Sequence, residues 1–191
     1  DRRVPLLWRT LAPLTVVSAC LGVLFGAAEV TTVAFADEQG APAWAGALLA
    51  LWALGSLVSG VVTGALTWRA SVTTRLRVGA TAMALAMAPL WLVGSLPLMG
   101  LVLLIGGAAI APTLIATMSL VQSSTPRARL TEGMALVQTG LVAGVAPGAA
   151  ASGFVVDHHG ANPAYLVSLA AGLLAALAAL TLPRPPVSYG D

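Results

Sequence analysis

One carboxylate stands inside a long uncharged run, Glu29 within residues 11–36. A charged side chain at membrane depth costs on the order of 2–3 kcal/mol unless it faces water or the protein interior, so an acid there marks a functional site by default. Carboxyl groups taken out of water favour their neutral form, which suits proton loading and release; the same group can instead pair with a cationic solute. At helical spacing Glu29 shares its face with Gly22, Phe25, Gly26, Thr32, Val33 and Ala36. One aromatic among small and polar groups suits a cavity wall better than a lipid-facing stripe. The alternative is an interfacial acid, roughly 10 Å below the boundary by helical rise, snorkelling beside Asp37 and Glu38.

Other polar side chains lie in apolar surroundings. Gln138, followed by Thr139, needs a partner for its amide, so it is either a substrate hydrogen-bonder or a tie between helices. Trp52, Ser56, Ser59 and Thr63 form a semi-polar stripe, and Thr113 and Thr117 sit one turn apart. These groups can line a cavity, or their hydroxyls can bond back to their own helix carbonyls. Glu132 follows Arg127 and Arg129 at a helix start, where an acid suits the dipole. His158 and His159 are adjacent and so point apart, and no third ligand has suitable spacing; they read as a solvated loop, with no metal and no cofactor expected. No nucleophile with a base is recognisable, and no enzyme is expected.

The elements that carry these residues follow from composition. Of 191 residues 58% are hydrophobic and 8% charged, with nine basic and seven acidic side chains. Soluble domains carry roughly 25% charged residues, so this composition excludes an ordinary soluble domain and a disordered tail. The bases are all Arg, scattered in ones and twos, which argues against nucleic acid as a partner. The single cysteine, Cys20, allows no intrachain disulfide. A helix needs about 20 apolar residues to cross a bilayer. By that measure the chain is an all-α integral membrane protein, a six-transmembrane-helix bundle over 11–182, with a cytoplasmic segment 1–10 and a tail 183–191. The spans fall at 11–36, 44–68, 78–96, 98–122, 133–156 and 164–182. Lacking an initiator Met, the chain reads as a piece of a longer protein.

Turn chemistry separates the spans. Gly40 with Pro42 ends the first, Gly94-Ser95-Leu96-Pro97 reverses the chain after the third, and Thr125-Pro126 and Asn162-Pro163 read as a cap followed by Pro at the first helical position. With six spans, Arg2, Arg3, Arg9, Arg69, Arg75, Arg77, Arg127, Arg129 and Arg184 all fall on one side, in the tails and the loops at 69–77 and 123–131. Asp37, Glu38 and Asp157 fall on the other. The positive-inside rule then places both termini in the cytoplasm. Small residues recur every four positions at Gly140, Gly144, Gly148 and Ser152, with Pro147 among them, and at Ser56, Gly60 and Gly64; Gly106, Gly107 and Pro112 mark the fourth span. Such rows let helices approach closely, and they also occur in helices that slide or flex.

The pattern resembles the C-terminal six-helix half of a major facilitator superfamily transporter. Gly153-Phe154-Val155-Val156-Asp157-His158-His159-Gly160 is similar to the Gly-x-x-x-Asp-x-x-Gly element of that family, preceded by the glycine-rich segment around Pro147. Gly64 and Arg69 match the family's cytoplasmic loop motif in register, but Trp68 stands where its acid would be, so an Asp–Arg latch is missing from this loop. The Ala/Leu/Val/Gly composition with Arg alone is similar to bacterial small-solute exporters. The resemblance implies a secondary transporter of the inner (plasma) membrane, moving a small organic solute by alternating access, together with protons. Its partners would be the bilayer, that solute and a missing N-terminal six-helix half or a second copy. A non-transporting assembly module is the alternative. Asn162-Pro163-Ala164, a tripeptide that water channels carry twice, occurs once, which makes a channel the weaker reading.

Overall fold

Apolar stretches bounded by Gly, Pro and Ser give helices throughout the computed structural model, which describes residues 8–68 and 70–182. They are α1 (Trp8–Glu38), α2 (Trp44–Ala65), α3 (Val72–Met87), α4 (Leu96–Gly107), α5 (Ile110–Ser124), α6 (Leu130–His159) and α7 (Ala161–Leu180), with short 3₁₀ turns at Leu90–Leu92 and Arg127–Arg129. No strand occurs among the described residues. Counting α4 and α5 as one stretch, Leu96–Ser124, five helices are long and apolar enough to cross a membrane. Their outer surfaces are apolar as well: Val61 and Ile105 are each 66% exposed and Leu85 65%. Such a surface suits lipid rather than water. The chain is all-helical with the length and composition of a membrane-spanning bundle.

Several boundaries differ from the hydropathy reading, each for a local reason. The third helix starts at Val72, not 78, because Ser71 caps it, its hydroxyl accepting from the Thr74 amide at 3.2 Å. It ends at Met87, where Pro89 follows, and the apolar stretch onward to Leu96 is a 3₁₀ turn and an extended link rather than more helix. Arg75 and Arg77 therefore sit on α3 and not in a loop. The fourth span is broken: Ala108 and Ala109 donate three residues back, to Ile105 and Gly106. Pro112 has no N–H for the Ala108 carbonyl and its ring crowds that group, while Gly106 and Gly107 add backbone freedom.

Two expected caps are also different. Asn162 does not cap the last helix; α7 begins at Ala161, and Gly160, at φ +89°, makes the whole α6–α7 reversal. Thr125 closes α5 in extended conformation, and Pro126 leads into the 3₁₀ turn ahead of α6. Gly40 behaves as expected from its place before Pro42: at φ +69° it ends α1, with Ala41 donating to the Ala36 carbonyl at 3.0 Å.

Helix α1 is the stem of the bundle and α2 and α6 are its least covered helices. Helices α1 and α6 run parallel with their backbones nearly touching. A Cβ on Gly22 would lie 1.9 Å from the Leu141 carbonyl oxygen, and one on Gly144 2.1 Å from that of Ala19. Gly140 meets Thr15 and Gly148 meets Val23 in the same row. Above it Ser152 donates to the Ala27 carbonyl at 3.1 Å and bonds the Thr31 hydroxyl. In α2 the close approach falls on Gly55, against the Leu104 carbonyl. Gly60 touches only the Ala111 side chain, and Gly64 has nothing within 4 Å.

Polar ties fix the two ends. At one end Glu38 Oε1 accepts from the Ala161 amide at 2.8 Å, and Asn162 Nδ2 donates to the carbonyls of Trp91 and Val93. At the other end Arg77 donates to the carbonyls of Ala179, Leu180 and Leu182, closing the last turn of α7. Asp37, Glu38 and Asp157 thus lie at the end opposite Arg75 and Arg77. Arg2, Arg3, Arg69 and Arg184 lie outside the described residues.

Candidate functional site

Phe25 and Trp52 form an edge-to-face pair with ring centroids 5.7 Å apart, which joins α1 to α2. Trp52 is 5% exposed, and its indole Nε1 has no hydrogen-bond partner among the described residues. A buried N–H left unpaired is destabilising by about 1–3 kcal/mol, a cost that a bound acceptor would remove. The Trp52 carbonyl faces Gly107, where a Cβ would stand 2.1 Å away, so the indole-bearing turn of α2 rests on the end of α4, at the break. Glu29 lies one helical turn beyond Phe25. Its side chain is exposed on the bundle surface and has no hydrogen-bond or ion-pair partner among the described residues. Trp52 thus joins Phe25 of α1 to the broken end of α4, with Glu29 on the next turn of α1.

The other candidate residues are elsewhere. Thr32 is buried and bonds the Tyr165 hydroxyl at 2.9 Å, so it ties α1 to α7. Thr113 is buried at the break; its hydroxyl donates back to the Ala109 carbonyl at 2.6 Å and its side chain fills the space beside Gly79. Thr117 back-bonds to Thr113 in the same manner, and Ser59 to Ser56. Gln138 is exposed, one position on from buried Val137, and makes no tie among the described residues: the small-residue face of α6 turns to α1 and carries the amide outward. Pro147 is exposed within α6, which continues through it.

Elsewhere, Glu132 pairs with Arg129 at 2.6 Å on the exposed start of α6. His158 donates from Nδ1 to the Phe154 carbonyl at 2.8 Å and stacks on the Phe154 ring. Asp157 is exposed, Gly153 has open space around it, and Gly160 makes the reversal described above. Among the described residues no group of three or more His, Cys, Asp or Glu side chains gathers as metal ligands do.

Sequence reasoning missed the polar ties made across the bundle by Glu38, Arg77 and Asn162, and the contact of Arg75 with Trp68, whose ring centroid lies 4.9 Å from the guanidinium carbon. An Arg at a helix start and an acid at a helix end were visible signals, but their partners lie as much as 123 residues away. No known family's profile matches the chain, and no curated protein matches it in sequence.

Proposed function

We propose that the chain is one six-helix half of a secondary transporter of the major facilitator type, which carries a small organic solute across a bacterial plasma membrane by alternating access. In this reading α3 with its 3₁₀ extension supplies the sixth crossing. The parallel run of α1 beside α6 and the antiparallel pairing of α3 with α7 support that up-and-down path. The Arg-bearing end faces the cytoplasm, with both termini on that side. The uncovered faces of α2 and α6 meet the other six-helix half, or a second copy, around a midplane site.

The observation that carries the reading is Glu29: a membrane-depth carboxylate, open on the bundle surface, one turn from the Phe25–Trp52 pair that rests on a discontinuous helix. Discontinuous helices and intramembrane acids are the parts from which solute and proton sites are built. Glu29 is the proton-coupling group, and the Trp52 N–H offers a hydrogen bond to the solute. The test is flux in proteoliposomes holding this chain with the half it pairs with, across a panel of fluorescent organic solutes. Glu29→Gln should abolish movement driven by a proton gradient and leave solute counterflow intact. Driven movement at the unmodified rate overturns the assignment.

A further inference from the structure

A groove on the opposite flank of α4 from Trp52 has a different chemistry. It opens at the Arg-bearing end between α3 and the α4–α5 break, as a cavity of about 250 Å³ lined by Trp68, Arg75, Val78 and Pro112 among others. Past Ala82, Ala108 and Ala109, which line both, it continues into a second cavity of about 630 Å³ between Leu85, Ala86 and Pro89 on one wall and Val102 and Ile105 on the other. No acid among the described residues lines either part. The mouth is therefore cationic and the remainder apolar.

The mouth is also held in place. Trp68 donates from Nε1 to the Thr63 carbonyl at 2.9 Å, which fixes its ring against the end of α2. The Arg75 guanidinium lies over that ring and forms no ion pair among the described residues. Arg77, two residues on, is taken up by the α7 carbonyls, so Arg75 is the cation left to the groove among the described residues. From Arg75 to Ala86 the helical rise is about 16 Å. One leaflet of hydrocarbon is about 15 Å deep, half of a ~30 Å core. A groove of one-leaflet depth with a cation and an indole at its mouth has the dimensions and polarity of a lipid.

We infer that this groove is a binding site for an anionic phospholipid, with the phosphate on Arg75 beside Trp68 and one acyl chain along Val78, Ala82 and Ala86. A lipid suits it better than a protein helix, because a cation and an indole at the mouth of an apolar groove match a phosphate headgroup over an acyl chain. The inference needs only that the helices cross a membrane and is independent of transport.

Native mass spectrometry of the purified protein in nanodiscs containing equal dioleoylphosphatidylglycerol and dioleoylphosphatidylcholine tests it. Phosphatidylglycerol should be retained in preference, and Arg75→Gln should cut that retention about tenfold, as loss of a charge-assisted contact does. Arg127→Gln, on the exposed 3₁₀ turn, should leave it unchanged. Ala82→Phe should displace both lipids by blocking the groove, and neither inorganic phosphate nor glycerol phosphate should compete. Circular dichroism of each variant checks that the bundle persists. Equal retention of the two lipids, insensitivity to Arg75→Gln in a folded variant, competition by free phosphate, or a second copy of the chain seated on α3 would each overturn the inference.

Discussion

Glu38, the last residue of α1, holds the first amide of α7 at Ala161 through a 2.8 Å hydrogen bond. The cap of one helix is thus supplied by the end of another, and Gly160, at φ +89°, makes the reversal that brings the two together. A carboxylate at a helix N-terminus also meets the positive end of the helix dipole. Glu38→Ala should destabilise the bundle by about 1 kcal/mol, the usual cost of losing a cap. Glu38→Gln, which keeps an acceptor, should lose less. Unfolding in detergent followed by circular dichroism measures both, and equal losses would show that the charge matters more than the acceptor.

The α1–α6 seam gives a contrast between two glycines of one helix. Gly144→Ala places a methyl 2.1 Å from the Ala19 carbonyl, where neither backbone can yield without moving a helix. A loss of about 1–3 kcal/mol is expected, the range for overpacked sites. Gly153→Ala meets nothing within 4 Å and should be neutral or stabilising by about 0.5–1 kcal/mol through the unfolded chain. The same unfolding assay compares them, and similar effects at both positions would mean that the seam is looser than described.

Pro112→Ala returns a donor to the Ala108 carbonyl and should let α4 run further into α5. Amide hydrogen exchange over residues 108–113 should then slow, while exchange in α7 stays as it was. If alternating access uses this break as its hinge, gradient-driven flux should fall in the same variant. Unchanged exchange would assign the break to Gly106 and Gly107 instead.

Helix content and the membrane class were legible because they rest on local composition: sixteen charges cannot coat 191 residues, and each span carries its own apolar run. The turn at Gly40 was legible for the same reason, since a positive φ before a proline is a local need. The break at Ala108 was harder. Its signals, Gly106-Gly107 and Pro112, were visible, yet hydropathy runs on across them and hides the interruption. The end of α3 was misplaced because Leu90, Trp91 and Leu92 are as apolar as helix residues, although Pro89 had already ended the helix. Glu29 and Trp52 could each be singled out, one as the deep acid and the other in a semi-polar stripe, but the pairing of Phe25 with Trp52 across α1 and α2 depends on tertiary packing. The partners of Glu38, Arg77 and Asn162 had no local trace, because each lies where a distant element begins or ends.

The seam between α1 and α6 also sets an order of assembly. Helix α1 ends at Glu38, and its main partner begins only at Leu130, so some ninety residues must be made between them. At roughly 5–20 residues per second of synthesis, α1 waits on the order of 5–20 s in the bilayer with its glycine face unmatched. During that interval Gly22 and Gly26 face lipid or whichever small-residue helix is nearest. The α1–α6 seam therefore closes late, and biogenesis of this bundle is exposed to mispairing, or to help from an insertion factor, until α6 arrives.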